Sequence, residues 1–215
     1  MTISDRDLLR AFPGSTFEDA PRVTRMQWAL GFTRALWGDH DGYACVGHGA
    51  PHLDTNGMYR HRGFSQTFHE WPSASVAMAE QMMTLAARGH DVYVTPMLRA
   101  EKGRKKGTGA GAQWAWVDLD GPMTEDRLRV LRALGDTVRV VSSGTGHHAY
   151  FQLDEWTPLD EVENTNRALA SMLDGDSKWD DTSFLRPPGT YNRKPLLRGA
   201  GPPALVQVVE IGGAR

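Results

Sequence analysis

Three features of the second half of this sequence predict an α+β fold. Trp114-Ala115-Trp116-Val117 is a short apolar run bounded by Gly121-Pro122, the pattern of a buried strand. Two helix patterns follow, over 124–134 and from Pro158 to Leu173, each with its own start signal. Between them, 137–153 holds two strand patterns split by Ser142-Ser143-Gly144-Thr145-Gly146, which predicts a hairpin. With a closing strand over 204–211, the order from residue 114 is β-α-β-β-α-β. That is the ferredoxin-like, or RRM-like, topology: a four-stranded antiparallel sheet with two helices on one face. The other face is left free to hold a site.

Length and composition allow this and narrow the rest. The 215 residues suffice for one large domain or two small fused lobes, and a hydrophobic fraction of 40% supports a real core. A net charge of −2 and a pI near 6.4 give no global basic signature. A nucleic-acid partner would have to be held by local patches or through metal. Cys45 is the only cysteine, which excludes an intrachain disulfide and fits a reducing interior. There is no signal peptide, no apolar run of membrane length and no internal repeat, so a cytoplasmic chain without a membrane partner is expected.

Each element has its own justification. Residues 1 to 22 are polar, with Pro13-Gly14 and Pro21 as breakers, and read as a flexible lead. Val23 to Trp37 places apolar residues at helical spacing. Tyr43 to Val46 is a short strand. His40, Cys45, His48 and His52 include a Cys-x2-His-x3-His spacing that resembles part of a zinc site, but no second cysteine pair supports it, and a glycine-rich loop with scattered histidines is the stronger reading. Residues 54 to 72 interleave Tyr59, Arg60, His61, Arg62, Phe64, Phe68 and Trp71, which suits single-stranded nucleic acid and, equally, a half-buried hairpin. Ser73 or Ser75 can cap a helix that runs to Arg88 and stops at Gly89, with Val76, Met78, Met82, Met83 and Leu85 as its core face. Val92 to Val94 is a strand. Arg99, Lys102, Arg104, Lys105 and Lys106 then crowd a glycine-rich loop placed to meet phosphates. Thr124 starts the next helix, with Glu125 and Asp126 in its first turn and Gly135 after its end. Thr157 caps the last, with Pro158 at its first position. Residues 176–192 are irregular.

The chemistry gathers at three segments. The first is Asp118 and Asp120 at the end of the central strand. Alternate strand residues share a face with Cα atoms about 6.5 Å apart. Two carboxylates so placed repel each other unless a cation offsets them, and all-oxygen ligands suit Mg²⁺ or Mn²⁺. Asp-x-Asp alone is a weak signal, since a strand running into an acidic turn gives the same pattern. The second segment, Ser143 to Tyr150, has glycines that let backbone N–H groups approach an anion, and a histidine that begins a strand beside the carboxylates. The third, Trp179 to Lys194, offers another acid, an arginine, a Pro-Gly turn and a lysine.

In this order the three segments resemble the archaeo-eukaryotic primase superfamily, in particular the primase-polymerase (prim-pol) branch of plasmids, phages and mobile elements. That family carries Asp-x-Asp/Glu, then Ser-x-His, then an acid shortly before Leu-Arg-x-Pro-Gly-Thr-x-Asn-x-Lys. The resemblance covers about residues 70 to 212 and implies a single catalytic domain over 1–215. Its sub-lobes would be an N-terminal αβ unit over 23–112 and an RRM-like catalytic unit over 113–212. It implies a DNA primase and DNA polymerase acting in phage, plasmid or mobile-element replication. Asp118, Asp120 and Asp180 would be the catalytic acids and metal ligands, with Asp181 the alternative third acid and Asp176 a distant one. His148 would contact the nucleotide's phosphates, and His147 would be a neighbour on the opposite face. Ser143, Gly144 and Gly146 would bind nucleotide. Arg186 and Lys194 would bind its phosphates or fix the turn. Arg99, Arg104, Lys105 and Lys106 are the candidate template or phosphate contacts. Pro187-Pro188 departs from the family, which has an apolar residue before its single Pro-Gly.

The implied partners are a single-stranded DNA template, a primer, (d)NTPs and a helicase in the same or a partner chain. The implied cofactors are two Mg²⁺ or Mn²⁺ ions. The chemistry agrees: nucleotidyl transfer uses two ions about 4 Å apart, which three carboxylates can bridge. Two other classes fit parts of the pattern. A non-catalytic RRM-like module binding single-stranded nucleic acid would stack bases on exposed aromatics, but carboxylates stand at those positions. A nucleotide-sugar transferase could use Asp-x-Asp with Mn²⁺, but such enzymes usually have a parallel sheet, which the hairpin pattern does not provide.

Overall fold

The computed structural model describes residues 20–134 and 137–209, so most of the polar lead, Gly135 and Ile211 lie outside the described residues. Helix α1 (Arg22–Trp37) buries Ala29, Phe32, Leu36 and Trp37 at helical spacing and ends at Gly38, whose φ is +53°. The segments that follow form a longer hairpin than the sequence predicts. Strand β1 (Gly42–Leu53) pairs antiparallel with β2 (Tyr59–Trp71), from Gly42↔Trp71 to Leu53↔Tyr59. Polar alternation along β2 hides this strand from a hydrophobicity reading. Strand β3 (Asp91–Val94) pairs with the other edge of β1, giving the order β2-β1-β3. Helix α2 (Ser75–Ala87) covers this sheet with Met78, Met82 and Met83, all wholly buried. Val76 is turned outward instead, and no serine side chain caps the helix.

The second sheet holds β4 (Ala112–Asp120), β5 (Val138–Ser142), β6 (Gly146–Thr157) and β9 (Gln207–Val209) in the order β4-β6-β5-β9, all antiparallel. Helices α3 (Glu125–Ala133) and α4 (Leu159–Leu173) lie on one face, where Leu131 and Leu173 pack on Ala115, Val117, Leu119 and Phe151. The Thr124 side chain caps α3 by accepting from the N–H of Arg127 at 3.3 Å. Thr157 does not cap α4. It still belongs to β6, paired with Ala112, and its hydroxyl donates to the Glu155 carbonyl at 3.0 Å.

The strand order departs from the expected topology at its last step. The ferredoxin-like order would set the closing strand beside β4, whereas β9 pairs with β5, Val140↔Val209 to Ser142↔Gln207. The expected single strand over 204–211 is split at Val206, whose N–H donates to the Thr190 carbonyl at 2.9 Å. Before the split, β8 (Ala204–Leu205) pairs with β7 (Tyr191–Asn192), and the short helix α5 (Lys194–Leu197) lies between these two strands. Asn192 donates to the Ser143 carbonyl at 2.7 Å, so this ladder is fastened at the end of β5 and delivers the chain to that edge.

The free face is free only at one end. Trp114, Trp116 and Tyr150 continue the core of the first sheet. Phe32 meets Tyr150 edge-on at 5.2 Å, and the Trp114 indole donates to the Ala35 carbonyl at 2.8 Å. Beyond them the face carries Asp118, Asp120 and His148. Among the described residues no helix is long and apolar enough to cross a membrane.

Candidate active site

A cleft of about 490 Å³ opens where the end of the second sheet faces β2, β3 and the 177–186 segment. Asp118, Asp120, Asp180, Ser143, His148, Arg186 and Lys194 all line it, so the three sequence segments meet there. Asp118 is buried and Asp120 sits exposed at the strand end. Register puts His148 directly across from Asp118, with Nε2 3.6 Å from Oδ1, beyond hydrogen-bond length. Burial pushes the His148 pKa down to about 4 against the pull of Asp118, so the ring is neutral at pH 7, and its buried Nδ1 has no hydrogen-bond partner. His147 lies opposite Leu119 on the helix-bearing face, as strand alternation requires.

Lys178 has no counterpart in the sequence reading. Its ammonium contacts Asp118 Oδ2 and lies 3.4 Å from Asp176 Oδ2. Burial works against its charge, but Asp118 and Asp176 together outweigh this and raise its pKa. A lone lysine in an irregular segment carries no pattern that could have revealed this.

Asp180 and Asp181 diverge. Asp180 Oδ1 accepts from the N–H and hydroxyl of Thr182 at 3.1 and 2.8 Å, and Oδ2 lies 3.3 Å from Lys106. Burial opposes its charge, yet these donors hold its carboxyl below the usual range. Asp181 is absent from the cleft lining and wholly buried. Its Oδ2 accepts from Arg99 at 3.0 Å and from the N–H groups of Gly107, Thr108 and Gly109 at 3.0, 3.1 and 2.9 Å.

Arg99 is therefore not a phosphate contact. Its side chain is fully buried and its donors are taken by Asp181, Gly103 and Lys105 carbonyls, and the Thr108 hydroxyl, because it braces the basic loop from within. Arg104 does line the cleft, with its guanidinium 4.5 Å from the Phe184 ring centre. Lys105 and Lys106 are exposed beside it. Arg186 donates to Asp91 and to the Tyr93 hydroxyl, both at 2.7 Å. Gly144 has φ +88°, and a Cβ there would lie 2.3 Å from that of Ala204; a Cβ on Gly146 would lie 2.5 Å from the Leu119 carbonyl oxygen. These glycines thus let the hairpin turn pack against β8 and β4.

Residues 54–72 follow the hairpin reading. They form a hairpin strand, and Tyr59, His61 and Phe64 on it join Tyr93 and Phe184 as an aromatic wall of the cleft. The zinc candidates separate: His40 stacks on Trp156 at 3.8 Å, Cys45 is buried in the core, and His48 approaches His90 at 3.1 Å. Among the described residues no three His, Cys, Asp or Glu side chains gather around one point as for a metal. Asp118 and Asp120 nevertheless fit a hard divalent ion. Their donors are all oxygen, they share a strand face, and a cation, the Lys178 ammonium, already stands against Asp118.

No protein-family model and no curated protein matches the sequence. Solved structures do match the fold. The primase RepB′ superposes with a TM-score of 0.58 at 20% identity over 86% of this chain, which spans 56% of that one. The catalytic domain of primase RepB′ in complex with initiator DNA gives 0.55 at 20% identity, covering 86% and 84% of the two chains. The polymerase domain of Mycobacterium tuberculosis Ligase D in complex with DNA gives 0.52 at 16% identity, covering 98% and 87%. The chain therefore shares its fold with these primase and polymerase domains.

Proposed function

We propose that this protein is a DNA primase-polymerase that transfers nucleotides from (d)NTPs under the direction of a single-stranded DNA template, in the replication of a phage, plasmid or mobile element. One observation carries the reading. Acids, a histidine and phosphate-suited cations from three separated segments line a single cleft, on a fold shared with a primase and a polymerase domain.

Asp118 and Asp120 would hold Mg²⁺ or Mn²⁺, with Asp180 the third ligand. When bound, two such ions stabilise the attacking 3′-oxygen and the departing pyrophosphate. Lys178 carries its ammonium on a flexible, 42% exposed side chain and can release Asp118 without disturbing the core. His148, neutral and buried, can donate one hydrogen bond to a phosphate oxygen from a fixed position. Arg186 and Lys194 supply positive charge on the same wall for the triphosphate. Arg104, Lys105 and Lys106 offer a cationic rim to a nucleic-acid backbone. The aromatic wall suits the base or sugar of a nucleotide.

The test is incubation with primed and unprimed single-stranded template, labelled nucleotides and Mg²⁺ or Mn²⁺. Template-dependent product that a chelator abolishes is expected. Binding of single-stranded DNA with no incorporation in either metal would leave a non-catalytic module instead.

A further inference from the structure

Asp91 opens β3, is fully buried, and draws donors from four parts of the chain. Its Oδ2 accepts from the Tyr59 hydroxyl, from His61 Nε2 at 3.2 Å, from the Tyr93 hydroxyl at 3.1 Å and from Arg186 Nη2 at 2.7 Å. The Arg193 N–H approaches Oδ1 at 3.4 Å. Burial opposes the charge, but His61, Arg186 and Tyr59 outweigh it and hold the carboxyl well below the usual range. A buried charge with this many partners is costly to assemble, and packing alone does not call for it.

What it holds is more telling than what holds it. Arg186 Nη2 also donates to the Tyr93 hydroxyl at 2.7 Å, and its guanidinium lies 4.7 Å from the Tyr93 ring centre. Both bonds are made by Nη2, while Nε has no partner and the side chain lines the cleft. An arginine fixed before its ligand arrives loses little freedom on binding.

We propose that Asp91 is a positioning residue which, with Tyr93, fixes the Arg186 guanidinium in the orientation that receives the phosphates of the incoming nucleotide. This rests on the polymerase reading above. It adds that the first sheet, which supplies none of the three acids, sets nucleotide affinity.

The test is a double-mutant cycle of Asp91→Asn and Arg186→Gln. It reads KM and kcat for template-directed incorporation, and the dissociation constant for dGTP with Mg²⁺ by direct titration. Asp91→Asn should raise the nucleotide KM and dissociation constant about tenfold, the scale on which orienting partners act, with kcat changed less than about twofold. In the Arg186→Gln background it should change neither further. Additive effects, or a lower melting temperature with unchanged KM, would reduce Asp91 to a structural tie and overturn the proposal. If Asp91→Asn does not fold, Arg186→Lys takes its place: it keeps the charge and loses the held geometry. A roughly tenfold weaker dGTP affinity supports positioning, and an unchanged one overturns it. Should the wild type bind dGTP but incorporate nothing, the polymerase reading fails while the binding cycle still decides on Asp91.

Discussion

Adjacent aspartates, Asp180 and Asp181, show how one position along an irregular segment separates a cleft-lining carboxylate from a buried one. Asp180 faces the cleft and Asp181 closes a buried ion pair with Arg99. Asp180→Asn should abolish incorporation and leave stability almost unchanged. Asp181→Asn should cost about 3–5 kcal/mol, since it strands a buried guanidinium. Chemical denaturation alongside the incorporation assay checks both; a stable but inactive Asp181→Asn would exchange their roles. The two histidines of β6 make the parallel comparison on a strand. His148→Ala should raise the nucleotide KM and lower kcat, losing roughly 2–4 kcal/mol of transition-state stabilisation, the range for one preorganised donor. His147→Ala should do far less, because its ring is on the helix-bearing face. Steady-state kinetics on the pair settles it, and a larger loss at His147 would refute the assignment of His148 to the phosphates.

At the scale of elements, the basic loop before β4 has two layers. Arg99 and Asp181 form its buried anchor, while Arg104, Lys105 and Lys106 form its outer rim. Replacing the three rim residues with Ala should weaken single-stranded DNA binding and reduce the salt slope by about 2, at roughly 0.7 per cation for single strands. An affinity unchanged across a salt titration would make the rim a bystander. Elements with a periodic face or a cap could be read from the sequence: α1 from its spacing, α3 from Thr124, β4 from its apolar run. The hairpin of β1 and β2 was legible only in part, because its inward residues include Tyr59 and His61, which satisfy a buried carboxylate rather than a greasy core. The closing strand was misjudged because its break at Val206 depends on Thr190, a partner that no local pattern names. The same limit applies to the site. Asp118, Asp180, His148, Arg186 and Lys194 sit in linear motifs. Asp91 and Lys178 pair with residues far along the chain, Arg186 and Asp118, and leave no local signature.

Across the whole molecule, the two sheets share one continuous body of side chains through Trp114, Trp116 and Tyr150. Trp116 matters twice, because its indole also donates to the Lys178 carbonyl at 2.9 Å and so ties the core to the lysine that guards Asp118. Trp116→Ala should cost about 3–5 kcal/mol and lower the midpoint of a single cooperative unfolding transition. Two separate transitions, with only one displaced, would show that the sheets unfold independently. The shared seam also bears on how a ligand could reach the cleft. Swinging the sheets apart would expose three large aromatic side chains at roughly 200 Å² each, on the order of 10 kcal/mol at about 25 cal/mol per Å². At about 1.4 kcal/mol per tenfold, such a separated arrangement would be populated to only about one part in 10⁷. The cleft is then a mouth without a jaw: on the polymerase reading, nucleotide would enter and pyrophosphate would leave by its open side, and a growing strand would slide past a site whose width was set when the protein folded.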